Sequence, residues 1–178
     1  SGGMLKDFDY LVLAMGSSKM KHVGIENTFS ICGAPEQSIQ IRDGLDALIE
    51  KGSAKICFGF GGNPKDTSAV RGGPAFELLF NVHNLLKEKG IRDKYELTFF
   101  APMDEPGKRM GEKALKMMDT VFKRSNIKQH FGKKIKAFED TEVEKKYYYM
   151  NNELFCVLFM VYIDVDIVFI SMLKDEGN

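Results

Sequence analysis

The chain has 178 residues, 25 basic and 25 acidic side chains, a formal net charge of zero and 44% apolar residues. That length suits one compact domain with a sizeable core, and the charge balance argues against a nucleic-acid partner. Three widely spaced cysteines (Cys32, Cys57, Cys156) with no C-x-x-C fit a reducing compartment, and three scattered histidines argue against a metal-ligand cluster, so no metal is expected.

Ser1-Gly2-Gly3 ahead of Met4 reads as an expression scar, and residues 1–8 are taken as tag and flank. No basic stretch followed by an apolar one comes after it, so no signal peptide is expected. Residues 9–14 form a short apolar run ended by Gly16-Ser17-Ser18, the pattern of a buried strand and its turn. Residues 35–51 read as a helix: Pro35 suits its first turn, Ile41, Leu45, Leu48 and Ile49 share a face, and Gly52 stops it. A strand over 54–58 runs into Gly59-Phe60-Gly61-Gly62.

The clearest helix follows, with Pro74 at its first position and Ala75, Leu78, Leu79, Val82, Leu85 and Leu86 at helical spacing. Lys87, Lys89 and then Gly90 suit its end. A strand over 95–100 is stopped by Ala101-Pro102, and a helix over 111–124 places Leu115, Met118, Val121 and Phe122 on one face. Met110, Met117 and Met118 read as core filling. Short strands are expected over 127–140.

The apolar stretch 154–172 is almost long enough to cross a bilayer, but Asp164 and Asp166 interrupt it and its Val, Ile, Phe and Tyr content favours strands. Two buried strands with a turn near Asp164 are the preferred reading, a membrane-contacting element the alternative.

The order strand, Gly-rich loop, helix, strand, helix is a βαβ-type unit. It predicts a Rossmann-like, three-layer α/β domain over 9–172 with a mostly parallel sheet. Residues 133–172 would supply a small antiparallel addition, and 173–178 a tail.

Gly59 and Gly61 stand where a dinucleotide fingerprint belongs, after a strand, so the backbone could approach a pyrophosphate there. The third glycine of G-x-G-x-x-G, however, would fall on Pro64, and the helix starts only near Gly73-Pro74. The second strand also lacks a terminal acid for the ribose; Asp104 and Glu105 come slightly later. A working NAD(H) site and a dinucleotide-type fold without dinucleotide both stay open, and the pattern favours the second.

Several segments carry a family resemblance. Asp9-Tyr10-Leu11-Val12-Leu13-Ala14-Met15-Gly16 resembles the strand that closes the first FAD-binding segment in pyridine nucleotide-disulfide-type flavoproteins. Gly73-Pro74-Ala75-Phe76-Glu77 resembles the GPAYE motif of sulfide:quinone oxidoreductases, where it opens a helix of the second dinucleotide-type domain after a long loop. Ser30-Ile31-Cys32 and Ile91-Arg92-Asp93-Lys94 are similar to further segments of that family, and residues 166–170 to the strand by which its chain returns to the FAD domain. The likeness covers residues 7–140 well and the tail poorly.

The resemblance implies a parent enzyme that passes electrons from sulfide through FAD to a quinone, either cytoplasmic or peripheral on the membrane. This chain would be its central domain, partnered by an absent FAD-binding half and by quinone. The apolar stretch 154–172, left uncovered in the chain alone, adds an expected homo-oligomer. Cys32 matches the family's first cysteine and is the candidate catalytic residue; Gly59, Gly61, Arg71, Gly73 and Pro74 are the candidate cofactor-binding set. Arg71 stands where the family carries a redox cysteine two residues before the GPAYE glycine, which puts the usual cysteine pair in doubt. Arg71 could instead pair with an anion or flavin phosphate, or be a solvated loop charge. Glu77 is expected to complement the helix dipole, His83 to be a surface or capping residue, and Cys57 to be core. Two rivals remain: an NADH-oxidising flavoprotein domain, and a non-catalytic interaction module.

Overall fold

The computed structural model describes residues 10–13, 23–31, 34–61, 72–132, 135–140, 145–149, 154–157, 159–163 and 171–174. Contacts divide the chain into one unit of residues 1–19 and 166–178 and a second of residues 20–165. In the first unit, β1 (Tyr10–Leu13) pairs antiparallel with β9 (Ser171–Lys174), Leu13 lying opposite Ser171.

The second unit is built on a parallel sheet. Its strands are β2 (Ala54–Phe60), β3 (Tyr95–Phe100), β4 (Ile127–His130) and β8 (Phe159–Ile163), in the order β4-β3-β2-β8. All three pairings are parallel. Residues 56–60 of β2 are buried throughout, the run expected of a strand covered on both faces. Between β2 and β3 runs α2 (Gly73–Glu88), and between β3 and β4 runs α3 (Glu112–Arg124); α1 (Pro35–Lys51) precedes β2.

One apolar core joins these helices to the sheet. Ile56, Phe58, Phe60, Tyr95, Leu97 and Phe99 meet Ile41 and Leu45 of α1, Leu79, Val82 and Leu86 of α2, and Phe122 of α3. Phenyl rings dominate it: Phe76 stacks on Phe99 at 4.3 Å between centroids, and Phe122 lies 5.7 Å from Phe99. Each such pair contributes about 0.5–1.5 kcal/mol beyond the burial of its area. Cys57, Gly59, Thr98 and Phe100 alternate with the core-facing positions and are buried as well.

The helix ends follow their punctuation. Gly52 closes α1 in the left-handed region at φ 87° and accepts no strain there. Gly90, at φ 69°, does the same after α2, where the Ile91 N–H donates to the Leu86 carbonyl.

An antiparallel meander, β5 (Ile135–Asp140), β6 (Lys145–Tyr149) and β7 (Leu154–Val157), supplies the addition before the chain returns to the sheet as β8. The segment near Gly24 docks on it, with the Phe138 N–H donating to the Val23 carbonyl at 2.9 Å. The fold is the expected Rossmann-like α/β class, with two corrections of detail. The addition does not absorb the whole tail, because β8 pairs with β2 in the parallel sheet. The stretch 154–172 yields β7, β8 and the start of β9 instead of two strands; its turn near Asp164 lies outside the described residues. No helix among the described residues is long and apolar enough to cross a membrane.

Candidate functional site

In a parallel sheet of this order, the chain leaves β2 for β3 on one side while β8 lies on the other. The C-terminal end of β2 is therefore the switch point where such sheets leave room for a ligand. The glycines expected there are placed as follows. Gly59 lies inside β2, which runs two residues past the predicted end at residue 58, and stands opposite Phe100 in register. A Cβ on it would sit 2.5 Å from the Phe100 ring, so this position must be glycine for packing alone. Gly61 follows the strand and is half-buried.

Gly72 caps α2, and its Cβ would lie 2.2 Å from the Phe60 ring. Gly73 opens α2 with nothing within 4 Å of a Cβ, and Pro74 occupies the first turn, where its missing N–H costs nothing. The close approach of Gly72 to Phe60 brings the start of α2 to the end of β2. Two of the glycines near a would-be pyrophosphate thus face phenyl rings, and among the described residues only Gly73 leaves open space at the helix start. Cys32 and Arg71 lie outside the described residues.

A second feature lies at the ends of β3 and β4. A recess of about 180 Å³ opens there, walled by Leu115, Met118, Phe122 and Phe131 and rimmed by Asp104, Glu105, Asp119 and Gln129. Glu105 pairs with Lys108 at 2.7 Å, and Asp119 with Lys123 at 2.6 Å; the Lys123 hydrogen bond holds the Asp119 carboxyl below its ordinary range. Asp104 has no ion-pair partner among the described residues, and its Oδ1 lies 2.0 Å from where a Cβ on Gly132 would stand. Gly132 adopts φ 72° and donates its N–H to the Met103 carbonyl at 3.0 Å, tying the two loops together. The acids read as coming slightly after the second strand thus rim an apolar recess. No group of three His, Cys, Asp or Glu side chains among the described residues could hold a metal ion.

Other expected residues fall as follows. Cys57 is fully buried, as expected of a core thiol. Glu77 is exposed and lies beyond the first turn of α2, which carries no acid, so dipole capping is not its task. Met118 packs against the core, but Met110 and Met117 are 61% and 68% exposed and do not fill it. Val121 is likewise outward, because α3 turns Leu115, Met118 and Phe122 inward instead. His83 is half-buried and accepts a hydrogen bond from Arg92, a residue that the sequence reading gave no role.

No protein-family model matches the sequence. Among solved structures, the fold is similar to the sulfide:quinone oxidoreductase of Aquifex aeolicus, at 23% identity and a TM-score of 0.70, over 89% of this chain and 37% of that one. It is similar to the water-forming NADH oxidase of Lactobacillus brevis at 15% identity and a TM-score of 0.54, over 90% and 31%. A pyridine nucleotide-disulfide family oxidoreductase from Enterococcus faecalis matches at 10% identity and a TM-score of 0.50, over 84% and 30%. The chain spans about a third of the length of these structures. It therefore folds as a segment of sulfide:quinone oxidoreductase and of other pyridine nucleotide-disulfide-type oxidoreductases does.

Proposed function

We propose that the chain is the second dinucleotide-type domain of an FAD-dependent oxidoreductase that passes electrons from sulfide, or another reduced donor, to a quinone. On its own it is inactive. The observation that carries this reading is the packing of Gly59 against Phe100 and Gly72 against Phe60. A backbone cradle for pyrophosphate needs glycine surfaces that are open to the ligand, and Gly59 and Gly72 are instead closed off by phenyl rings, which argues against the phosphates of FAD being held there. The flavin would be held by the absent half, and this domain would support it from beside the GPAFE helix start. The fold shared with the Aquifex aeolicus enzyme points the same way. That likeness supports quinone as the acceptor; peripheral attachment to a membrane and self-association through the apolar stretch 154–172 complete the proposal.

The test is an absorbance spectrum and a quinone-reduction assay with sulfide and added FAD. The purified chain should be colourless and should not exceed the free-flavin blank, while co-expression with an FAD-binding half should give yellow protein. Stoichiometric flavin in the chain alone would overturn the reading.

A second reading has one observation in its favour. The recess at the ends of β3 and β4, with Asp104 on its rim and no ion-pair partner for it among the described residues, is an apolar slot beside a hydroxyl acceptor, as an adenosine requires. Under that reading the parent oxidises NADH. Titration calorimetry separates the two: micromolar NADH binding by this chain would favour the oxidase.

A further inference from the structure

A side chain with four hydrogen-bond acceptors stands at the opposite end of the sheet. Arg92 belongs to the short 3-10 turn Arg92–Lys94 between α2 and β3, and its guanidinium is half-buried. Its Nε donates to His83 Nδ1 on α2 at 2.9 Å. One terminal nitrogen donates to the Tyr95 carbonyl at 2.6 Å, and the other to the Ser125 and Asn126 carbonyls just past α3, at 2.7 and 2.9 Å. One cation thus fastens α2, the start of β3 and the C-terminal end of α3 to one another. It satisfies helix-end carbonyls that α3 itself leaves unpaired. Three of its acceptors are carbonyl oxygens and accept at any pH. The fourth is a ring nitrogen that accepts only while it carries no proton.

We propose that His83 and Arg92 form an acid-released latch: the neutral imidazole fastens α2 to the turn, and a proton from solvent on Nδ1 removes the acceptor and frees this end. The proton adds to the Nδ1 lone pair, no bond is broken other than the hydrogen bond, and the new imidazolium faces a guanidinium. The charges acting on His83 reinforce this. Burial disfavours the imidazolium, and the cationic Arg92 from the turn and Lys87 from its own helix add to this, so its pKa lies below the ordinary 6.5. β3 faces the pair with the Tyr95 carbonyl, and α3 with the Ser125 and Asn126 carbonyls, none of which titrates. The folded value is depressed relative to the unfolded one. The latch is therefore fully engaged above pH 6.5, and its contribution is lost as pH falls through the folded value.

The test is amide hydrogen exchange of the whole chain at pH 7.5 and at a pH below the His83 midpoint read from its nitrogen-15 shifts, corrected for intrinsic rates, with attention to residues 83–92 and 121–126. Wild-type protection there should fall roughly tenfold or more at the lower pH, the scale of one lost hydrogen bond to a charged group. His83→Gln, whose side-chain oxygen accepts but does not titrate, should keep the protection at both pH values; His83→Ala should lack it at both. Unchanged wild-type protection, or an equal loss in His83→Gln, overturns the proposal. Should His83→Gln not fold, the nitrogen-15 shifts of the wild-type ring decide. An Nδ1 that is protonated at pH 7.5, or a titration midpoint at or above 6.5, overturns it; an unprotonated Nδ1 that titrates below 6.5 supports it.

Discussion

Where β3 begins, polar groups do the fastening: Arg92 meets four acceptors and the Tyr95 hydroxyl donates to the Leu48 carbonyl at 2.9 Å. Where β3 stops, rings do it: Phe100 fills the space in front of Gly59, and Phe60 that in front of Gly72. Beside that packed end, and past it, the recess with Asp104 is left open. The first end is closed by directional bonds that substitution can interrupt one at a time, and a proton only at His83. The second is closed by volume, which tolerates no added atom but is indifferent to pH. Stability is shared between them, whereas the apolar recess lies at the second.

The sharpest way to break the contrast is to add volume at the ring-packed end. Gly59→Val should cost about 3 kcal/mol, the upper range for overpacking, and Phe100→Ala introduced with it should recover part of that loss. Urea unfolding of the two single variants and the double variant checks both statements; an additive double variant would mean that the ring does not explain the glycine. At the other end, Arg92→Ala should cost roughly 2 kcal/mol by leaving part-buried carbonyls without their donor. Arg92→Lys should regain only a fraction, since an ammonium cannot span acceptors on three elements. The smallest effect belongs to the open recess. Asp104→Asn should change stability by no more than about 0.5 kcal/mol, yet it should weaken whatever NADH binding the chain has. Thermal melts and calorimetry on the same samples measure the two quantities.

What the sequence disclosed is what local chemistry decides. Pro35 and Gly52 bound α1, Gly90 follows α2, and Ala101-Pro102 ends β3, so these limits are legible within a few residues. The end of β2 was not legible, because Gly59 resembles a loop glycine until Phe100, forty residues on in the neighbouring strand, is seen against it. The tail was misread for a related reason: β8 is identified by its pairing with β2, a contact about a hundred residues distant, while its composition is that of any buried strand. On α3 the helical spacing was right, but spacing alone assigned Val121 to the inner face that Leu115 and Phe122 occupy. The fastening role of Arg92 is not legible in the sequence because three of its four acceptors are backbone carbonyls, which leave no trace in residue types. The signal that could have found it was an arginine in a helix-to-strand turn with a histidine nine residues before it. Of the candidate site, the Gly73-Pro74 helix start was readable from the motif, and the rim acids Asp104 and Glu105 were noticed but not joined to a cavity.

The pairing of β1 with β9 has a consequence in polymer terms. With Leu13 opposite Ser171, the residues between them form one closed loop. Closing a flexible loop costs entropy that rises slowly with its length, about 0.6 kcal/mol for each doubling. A two-stranded ribbon is marginal even with a tight turn, so it cannot hold together a long unfolded insert. The order of dependence is therefore one-sided: melting the parallel sheet and its helices dissolves the ribbon as well, while parting the ribbon leaves the core around Phe99 intact.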